Sequence, residues 1–162
     1  MKKLFIVRHA KSDWANFNLS DFERPLNSRG LRDAPEMANR LTEKNIKIDL
    51  LVSSSANRAL TTAQFFAPEF NIDVLKVDEL YHASVKTFYK VIGSIKDEFN
   101  SVAIFSHNPG ITDFVNELTP TKIDNMPTCG IFAINVFSNS WLDFELVKKE
   151  FSFFDYPKLT QQ

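Results

Sequence analysis

Two arginines and two histidines are the residues of this sequence whose types and positions could do chemistry. Arg8 and His9 directly follow an apolar run near the N-terminus, and Arg58 and His107 come shortly after two later apolar runs. The carboxyl ends of strands in an α/β sheet meet in one crevice, so these side chains can meet although they lie far apart in sequence. Two guanidinium groups and two imidazoles in one crevice predict a pocket for a phosphoryl group.

His9 is the candidate nucleophile of such a pocket. A neutral imidazole can attack phosphorus when one ring nitrogen is unprotonated and the other is held as N–H. Neighbouring guanidinium groups lower its pKa and match the equatorial phosphate oxygens, and His107 would be a further donor to them. The alternative is an ordinary strand-end histidine beside a surface arginine, because a dipeptide is weak evidence. The joint presence of all four residues favours the enzyme interpretation.

The elements that must position these residues alternate between strands and helices. Short apolar runs predict strands over 3–8, 49–53, 74–77 and 102–105, and a terminal antiparallel pair over 131–137 and 142–149. Capping residues and apolar stripes predict helices over 28–44, from 54 or 55 to about 66, over 84–99 and over 109–118. This alternation predicts an α/β fold, a three-layer α/β/α sandwich with a mostly parallel sheet. The polar stretch 11–26 has the length of a functional loop, and we assign its aromatics Trp14, Phe17 and Phe22 to packing, with a pocket wall as the alternative.

Composition limits the classes of function. A chain of 162 residues fits one domain, which we expect to span residues 1–162. The net charge of −1 gives no overall basic field for nucleic acid, and no run is long enough to span a membrane. The one cysteine, Cys129, excludes an internal disulfide and fits a reducing compartment, so we expect a cytoplasmic protein. We expect no metal site, because Arg8 beside His9 would repel a cation and no zinc-type ligand spacing is present.

A set of short motifs covers nearly the whole chain in order. They are Val7–Ser12, Arg24–Gly30, Ser53–Ser55 on through Arg58 to Ala63, Leu80–Ser84, Ser106–Gly110 and Met126–Thr128. With these motifs the chain resembles the histidine phosphatase superfamily, and within it the small phosphohistidine phosphatases of the SixA type. Ala10 and Ser106 stand where the family usually has glycine, and both changes are small.

The resemblance implies a phosphoglycerate mutase-like fold and a metal-independent phosphatase without a cofactor. His9 would be the nucleophile that becomes phosphorylated, and Arg8, Arg58 and His107 would hold the phosphate. Arg24, Ser12 and Asn108 would contact the substrate, and Asn108 would also cap the following helix and orient His107. The implied substrate is a phosphohistidine-carrying protein. We expect the protein itself to be a monomer. The alternatives are a small-molecule phosphomonoesterase and a non-catalytic phosphoryl-binding module.

The proton donor for the leaving group is the open point of the site. Larger members of the superfamily place a carboxylate near the nucleophile, and Glu79 lies near the corresponding position; the alternative is a solvated loop charge. Asp21 and Asp13 in the first loop are further candidates. A site without such an acid would favour phosphoramidates over alkyl esters, because a protonated imidazole leaves readily. We assign His82 to the rim of the pocket or to structure rather than to catalysis.

Overall fold

A computed structural model of the protein describes residues 1–159, which form one six-stranded sheet with helices on both faces. The strands are β1 (Lys2–Arg8), β2 (Leu50–Ser53), β3 (Val74–Lys76), β4 (Ser101–Ser106), β5 (Ile131–Val136) and β6 (Lys149–Asp155). The helices are α1 (Ser28–Glu43), α2 (Asn57–Phe70), α3 (Val85–Gly93) and α4 (Gly110–Leu118). The order across the sheet is β3-β2-β4-β1-β5-β6.

The sheet is mostly parallel, as predicted. Its first four strands in spatial order pair in parallel, and β5 and β6 add an antiparallel edge next to β1. Helices α1 and α2 pack together on one face, and α3 and α4 pack on the other. The three-layer α/β/α sandwich is therefore confirmed.

Alternation along the central strands separates the two apolar layers. In β1, Leu4 and Ile6 face the layer of α3 and α4, whereas Phe5 and Val7 face the layer of α1 and α2. Successive side chains of a strand point to opposite faces, so a strand that is covered on both sides must be apolar throughout. The continuous apolar runs in the sequence follow from this arrangement. None of the helices within residues 1–159 combines the length and the apolar character needed to cross a bilayer.

The main errors of the sequence-based prediction lie at element ends. The last strand was predicted over 142–149 but lies at Lys149–Asp155, because Trp141 and Phe144 leave the sheet and are buried beside α3. Helix α3 ends at Gly93 instead of continuing to 99. The Ser94 hydroxyl donates to the Val91 carbonyl at 2.7 Å at this end of the helix. Helix α2 runs on to Phe70, and α1 is continuous through Pro35.

Candidate active site

The ends of two neighbouring parallel strands position the two central histidines. Arg8 at the end of β1 is the register partner of Ser106 at the end of β4. The next residue of each strand, His9 and His107, therefore leaves the sheet beside the other, and their ring centroids lie 5.2 Å apart. Arg58 lies in the first turn of α2, and its positive charge contributes to the lowered pKa of His9. The structure thus brings Arg8, His9, Arg58 and His107 together.

His9 is held as a neutral imidazole with a defined tautomer. His9 is only 6% exposed, and its Nδ1 lies 2.8 Å from the carbonyl oxygen of Ala10. Because a carbonyl only accepts hydrogen bonds, Nδ1 carries the proton and Nε2 keeps its lone pair. The pKa of His9 is lowered to about 3, mainly by burial. The hydrogen bond to Ala10 opposes this change, and the positive charges of Arg58 and Arg8 contribute to it. An unprotonated Nε2 is what attack on phosphorus requires.

His107 is oriented by Ser54, the residue that follows β2. Its Nε2 lies 2.8 Å from the Ser54 hydroxyl oxygen, which already accepts the Ala56 backbone N–H at 3.2 Å. The Ser54 proton is therefore free to donate to Nε2, which leaves the proton of His107 on Nδ1. The pKa of His107 is lowered to about 2, mainly by burial and also by the neighbouring His9 and Arg58. His107 is thus a neutral N–H donor.

Three buried nitrogens at this site have no hydrogen-bond partner within residues 1–159. They are Nε of Arg8, Nε of Arg58 and Nδ1 of His107. A buried donor without an acceptor costs free energy, and a native protein keeps such groups where a ligand supplies the acceptor. Three donors around a free imidazole nitrogen match the equatorial oxygens of a phosphoryl group.

Arg8 is fixed by a hydrogen bond to a backbone carbonyl. Its Nη1 donates to the Met126 carbonyl at 2.8 Å, and the Asn108 amide donates to the same oxygen at 3.0 Å. Burial lowers the pKa of Arg8, and the positive charge of Arg58 lowers it further. Two like charges are thus held close together, an arrangement that an anion between them would stabilise.

Arg24 and Ser12 form a second cationic group that Asp21 joins to Arg58. Arg24 donates from Nη1 to the Ser12 hydroxyl at 2.6 Å and from Nε to Asp21 Oδ1 at 3.2 Å. The Asp21 Oδ2 accepts from Arg58 Nη2 at 3.0 Å and from the Tyr81 hydroxyl at 2.6 Å. Burial of Asp21 opposes its ionisation, but the hydrogen bonds from Tyr81, Arg58 and Arg24 outweigh this and lower its pKa. Asp21 is therefore an ionised carboxylate inside the cluster.

The structure does not bring Glu79, the predicted proton donor, to the cluster. Its carboxylate lies 3.1 Å from the Lys90 ammonium, and both side chains are more than half exposed. The reason is that Glu79 lies in a short 3-10 turn that directs Leu80 into the core and Glu79 towards α3. Asp13 accepts the backbone N–H of Ala15 within its own loop. Of the three candidate carboxylates, only Asp21 reaches the arginines.

Other predicted residues divide between the pocket and its supports. Both amide protons of Asn108 are used, since its Nδ2 donates to Asn125 and to the Met126 carbonyl, so Asn108 supports the site and offers no N–H to a phosphate. Our assignment of the loop aromatics to packing was wrong, because Trp14 and Phe17 are 69% and 97% exposed. Trp14 instead stacks on Arg24, whose Cζ lies 3.4 Å from the ring centroid.

Sequence reasoning assigned no site role to Ser54, Tyr81 or Met126. Each lies in one of the motifs quoted above, so the motifs contained the signal without giving the role. The role of Ser54 depends on its distance from His107, and that of Met126 on a backbone carbonyl. Within residues 1–159, no group of three or more His, Cys, Asp or Glu side chains is arranged to hold a metal ion.

Comparison with known proteins agrees with this geometry. Residues 4–86 match the family described as histidine phosphatase superfamily (branch 1). An uncharacterised protein of Mycobacterium leprae is 31% identical over 94% of this chain and 100% of its own length. A 2,3-bisphosphoglycerate-dependent phosphoglycerate mutase of Staphylococcus haemolyticus is also 31% identical, over 60% of this chain and 44% of its own.

Solved structures give the same assignment. An Agrobacterium tumefaciens protein assigned as the phosphohistidine phosphatase SixA superposes with a TM-score of 0.78 at 26% identity, over 96% of this chain and 98% of its own. The protein histidine phosphatase SixA complexed with tungstate superposes with a TM-score of 0.80 at 24% identity, over 96% of this chain and 97% of its own, and supports the fold. The chain, with its phosphoglycerate mutase-like sheet, belongs to the histidine phosphatase superfamily and is a phosphatase of that type.

Proposed function

We propose that the protein removes phosphoryl groups from phosphohistidine side chains of other proteins, through a phosphorylated His9. In the first step Nε2 of His9 attacks phosphorus and the bond to the leaving group breaks. In the second step water cleaves the P–N bond to His9 and releases inorganic phosphate. Both steps use the same pocket, and neither requires a metal ion or a cofactor.

The observation that carries this proposal is the set of three unpartnered donors around a free imidazole nitrogen. Nε of Arg8, Nε of Arg58 and Nδ1 of His107 are buried without a partner within residues 1–159, and Nε2 of His9 in the same cluster keeps its lone pair. Donors that are preorganised for the equatorial oxygens stabilise the charge that develops in phosphoryl transfer. A phosphoryl-binding module would need the donors but would have no use for a neutral nucleophile.

The surroundings of the pocket favour a protein substrate. The exposed Trp14 stacks on Arg24 beside the cluster, and the His82 side chain is 60% exposed. Small phosphorylated metabolites are bound in concave sites that bury most of their surface, whereas exposed aromatic side chains suit a contact with another protein. The likeness to the Agrobacterium tumefaciens SixA points to the same substrate class.

The carboxylates near the pocket favour a phosphoramidate over an alkyl ester. Asp21 is kept ionised by its three donors, and Glu79 is paired with Lys90 on the surface. Neither carboxyl group is placed to give a proton to an alkoxide, a strongly basic leaving group. An imidazole is a weaker base that can carry its own proton, so it leaves without this help.

The test compares substrates and traps the intermediate. Wild-type protein and His9→Asn are exposed briefly to a phosphodonor labelled with 32P, denatured in alkali and analysed for bound label. Turnover of a phosphohistidine-carrying protein is then compared with that of phosphoserine and of sugar phosphates. We expect label on the wild type alone and a higher kcat/KM for phosphohistidine.

Three results would contradict the proposal in different ways. Equal labelling of wild type and His9→Asn would show that His9 is not the nucleophile. A kcat/KM for a sugar or amino-acid phosphate far above that for phosphohistidine would make the protein a small-molecule phosphomonoesterase. Phosphate binding without any label or turnover would leave only a binding module.

A further inference from the structure

We propose that His82, held beside Asp21 at the mouth of the pocket, is the proton donor to the leaving group. This inference rests on the proposed function, because it needs phosphoryl transfer to His9 as the reaction that it assists. It gives His82 the role that the sequence suggested for Glu79. Phosphate esters with a basic leaving group therefore serve as probes of this donor, and phosphohistidine remains the proposed substrate.

The position of His82 is the first support. Its ring centroid lies 6.2 Å from that of His107, and its ring packs against Tyr81 with a centroid separation of 4.0 Å. His9 forms the buried floor of the pocket, whereas the His82 side chain is mostly exposed. A group attacked by His9 must release its leaving atom on the side opposite to His9. In this proposal the exposed His82 meets the leaving atom there.

The backbone around His82 is the second support. His82 has a φ of 55°, in the left-handed region that residues other than glycine seldom adopt. Such a conformation persists only where surrounding contacts hold it, and it is concentrated at functional sites. The following residue, Ala83, has its carbonyl against Gly110, where a Cβ would find no room. The start of α4 thus fixes the segment that carries His82.

The charged surroundings of His82 fit a proton donor. Its Nε2 lies 3.7 Å from Oδ2 of Asp21, which also accepts from Arg58 and Tyr81. The groups that face it are therefore the Asp21 carboxylate, the Tyr81 hydroxyl and the neutral His107, with Arg58 behind Asp21. A carboxylate at this distance orients the imidazole, and a histidine side chain is a usual proton carrier in catalysis. Asp21 is thus a positioning residue and His82 the donor.

The proton balance closes over the two steps. As His9 Nε2 bonds to phosphorus, the bond to the leaving oxygen or nitrogen breaks and its electron pair stays on that atom. The protonated His82 gives this atom one ring proton and becomes neutral. In the second step neutral His82 takes a proton from the attacking water, the P–N bond to His9 breaks, and phosphate leaves.

The experiment compares two esters of nearly equal shape in wild type and in His82→Asn. Asparagine tolerates the left-handed backbone but does not exchange a proton near neutral pH. Phenyl phosphate releases a strong base, with a conjugate-acid pKa of about 10 as for a tyrosine side chain, whereas p-nitrophenyl phosphate releases a much weaker one. The measured quantity is the rate of phenol release in the first turnover, which reports the first step alone.

We expect His82→Asn to slow the first turnover of phenyl phosphate by about 10²-fold, the lower end of the usual effect of general acid catalysis. The first turnover of p-nitrophenyl phosphate should be nearly unchanged, and this same measurement shows that the variant folds and transfers phosphoryl groups. Added imidazole should restore part of the lost rate in His82→Gly.

Equal losses for the two esters, or none for phenyl phosphate, would overturn the assignment of His82. Neither result would affect the proposed function, which depends on label at His9. Absence of label in the wild type would instead remove the proposed function, and the inference with it.

Discussion

Removal of the Ser54 hydroxyl tests whether the tautomer of His107 matters for catalysis. In Ser54→Ala the Nε2 of His107 loses the donor at 2.8 Å, so the imidazole can keep its proton on either nitrogen. A hydrogen bond of this kind contributes about 0.5–1.5 kcal/mol, which corresponds to a loss of about 2- to 10-fold in kcat/KM if it acts only through orientation. If the proton moves to Nε2, the donor at Nδ1 is lost as well, and the loss approaches about 10²-fold.

The assay measures kcat/KM for p-nitrophenyl phosphate together with the 15N chemical shifts of the His107 ring. Ser55→Ala is the matched control, because Ser55 is the exposed neighbour whose hydroxyl donates to Asp78 outside the cluster. We expect Ser54→Ala alone to lose activity and to show a mixture of tautomers. Unchanged activity with Nδ1 still protonated would refute the reasoning, as would an equal loss in Ser55→Ala.

Three further outcomes follow from the contacts described above. Glu79→Gln should leave kcat/KM nearly unchanged in a steady-state assay, because the carboxylate pairs with Lys90 on the surface; a loss of the size expected for a proton donor would contradict its placement. The pKa of His9 lies at about 3 in the native protein and near 6.5 in the unfolded chain, so the unfolded chain binds one more proton between these values. The free energy of unfolding should therefore fall as the pH falls from 6.5 towards 3, by about 1.4 kcal/mol per pH unit from this group, and urea titrations of His9→Gln should show a correspondingly smaller slope. Dialysis against EDTA should not change turnover and vanadate should compete with substrate, and an activity that needs added magnesium would exclude this mechanism.

The sequence predicted the fold well where both faces of a strand are covered. The apolar runs that became β1 and β4 cannot lie elsewhere than in the middle of a sheet, because each is buried on both sides. The last strand was misplaced because residues 142–149 alternate as a half-buried strand would. In the structure Trp141 and Phe144 are instead buried against α3. Only tertiary packing decides between this arrangement and a half-buried strand.

The sequence predicted which residues form the candidate site but not which hydrogen bonds join them. Arg8, His9 and His107 stand at strand ends, and strand ends meet by topology alone. The proton donor could not be found in this way, because Glu79 and Asp21 are both plausible by sequence. Which carboxylate enters the cluster depends on the direction of a short turn and on the hydroxyl of Tyr81, and neither leaves a periodic signal in the sequence.

The charges of the site select a phosphoryl group with two negative charges. Three arginines, Arg8, Arg24 and Arg58, lower the pKa of His9, and Asp21 balances one of them. Because His9 and His107 are neutral, the three arginines less Asp21 leave two positive charges in the cluster, apart from the exposed His82, and a terminal phosphoryl group compensates these two in full. A phosphodiester carries one charge and would leave one cation uncompensated beside a buried imidazole, at a cost that the low local dielectric increases. The same balance favours a neutral His9 as the proposed nucleophile: a protonated His9 would add a further positive charge to the cluster and would have no lone pair for attack.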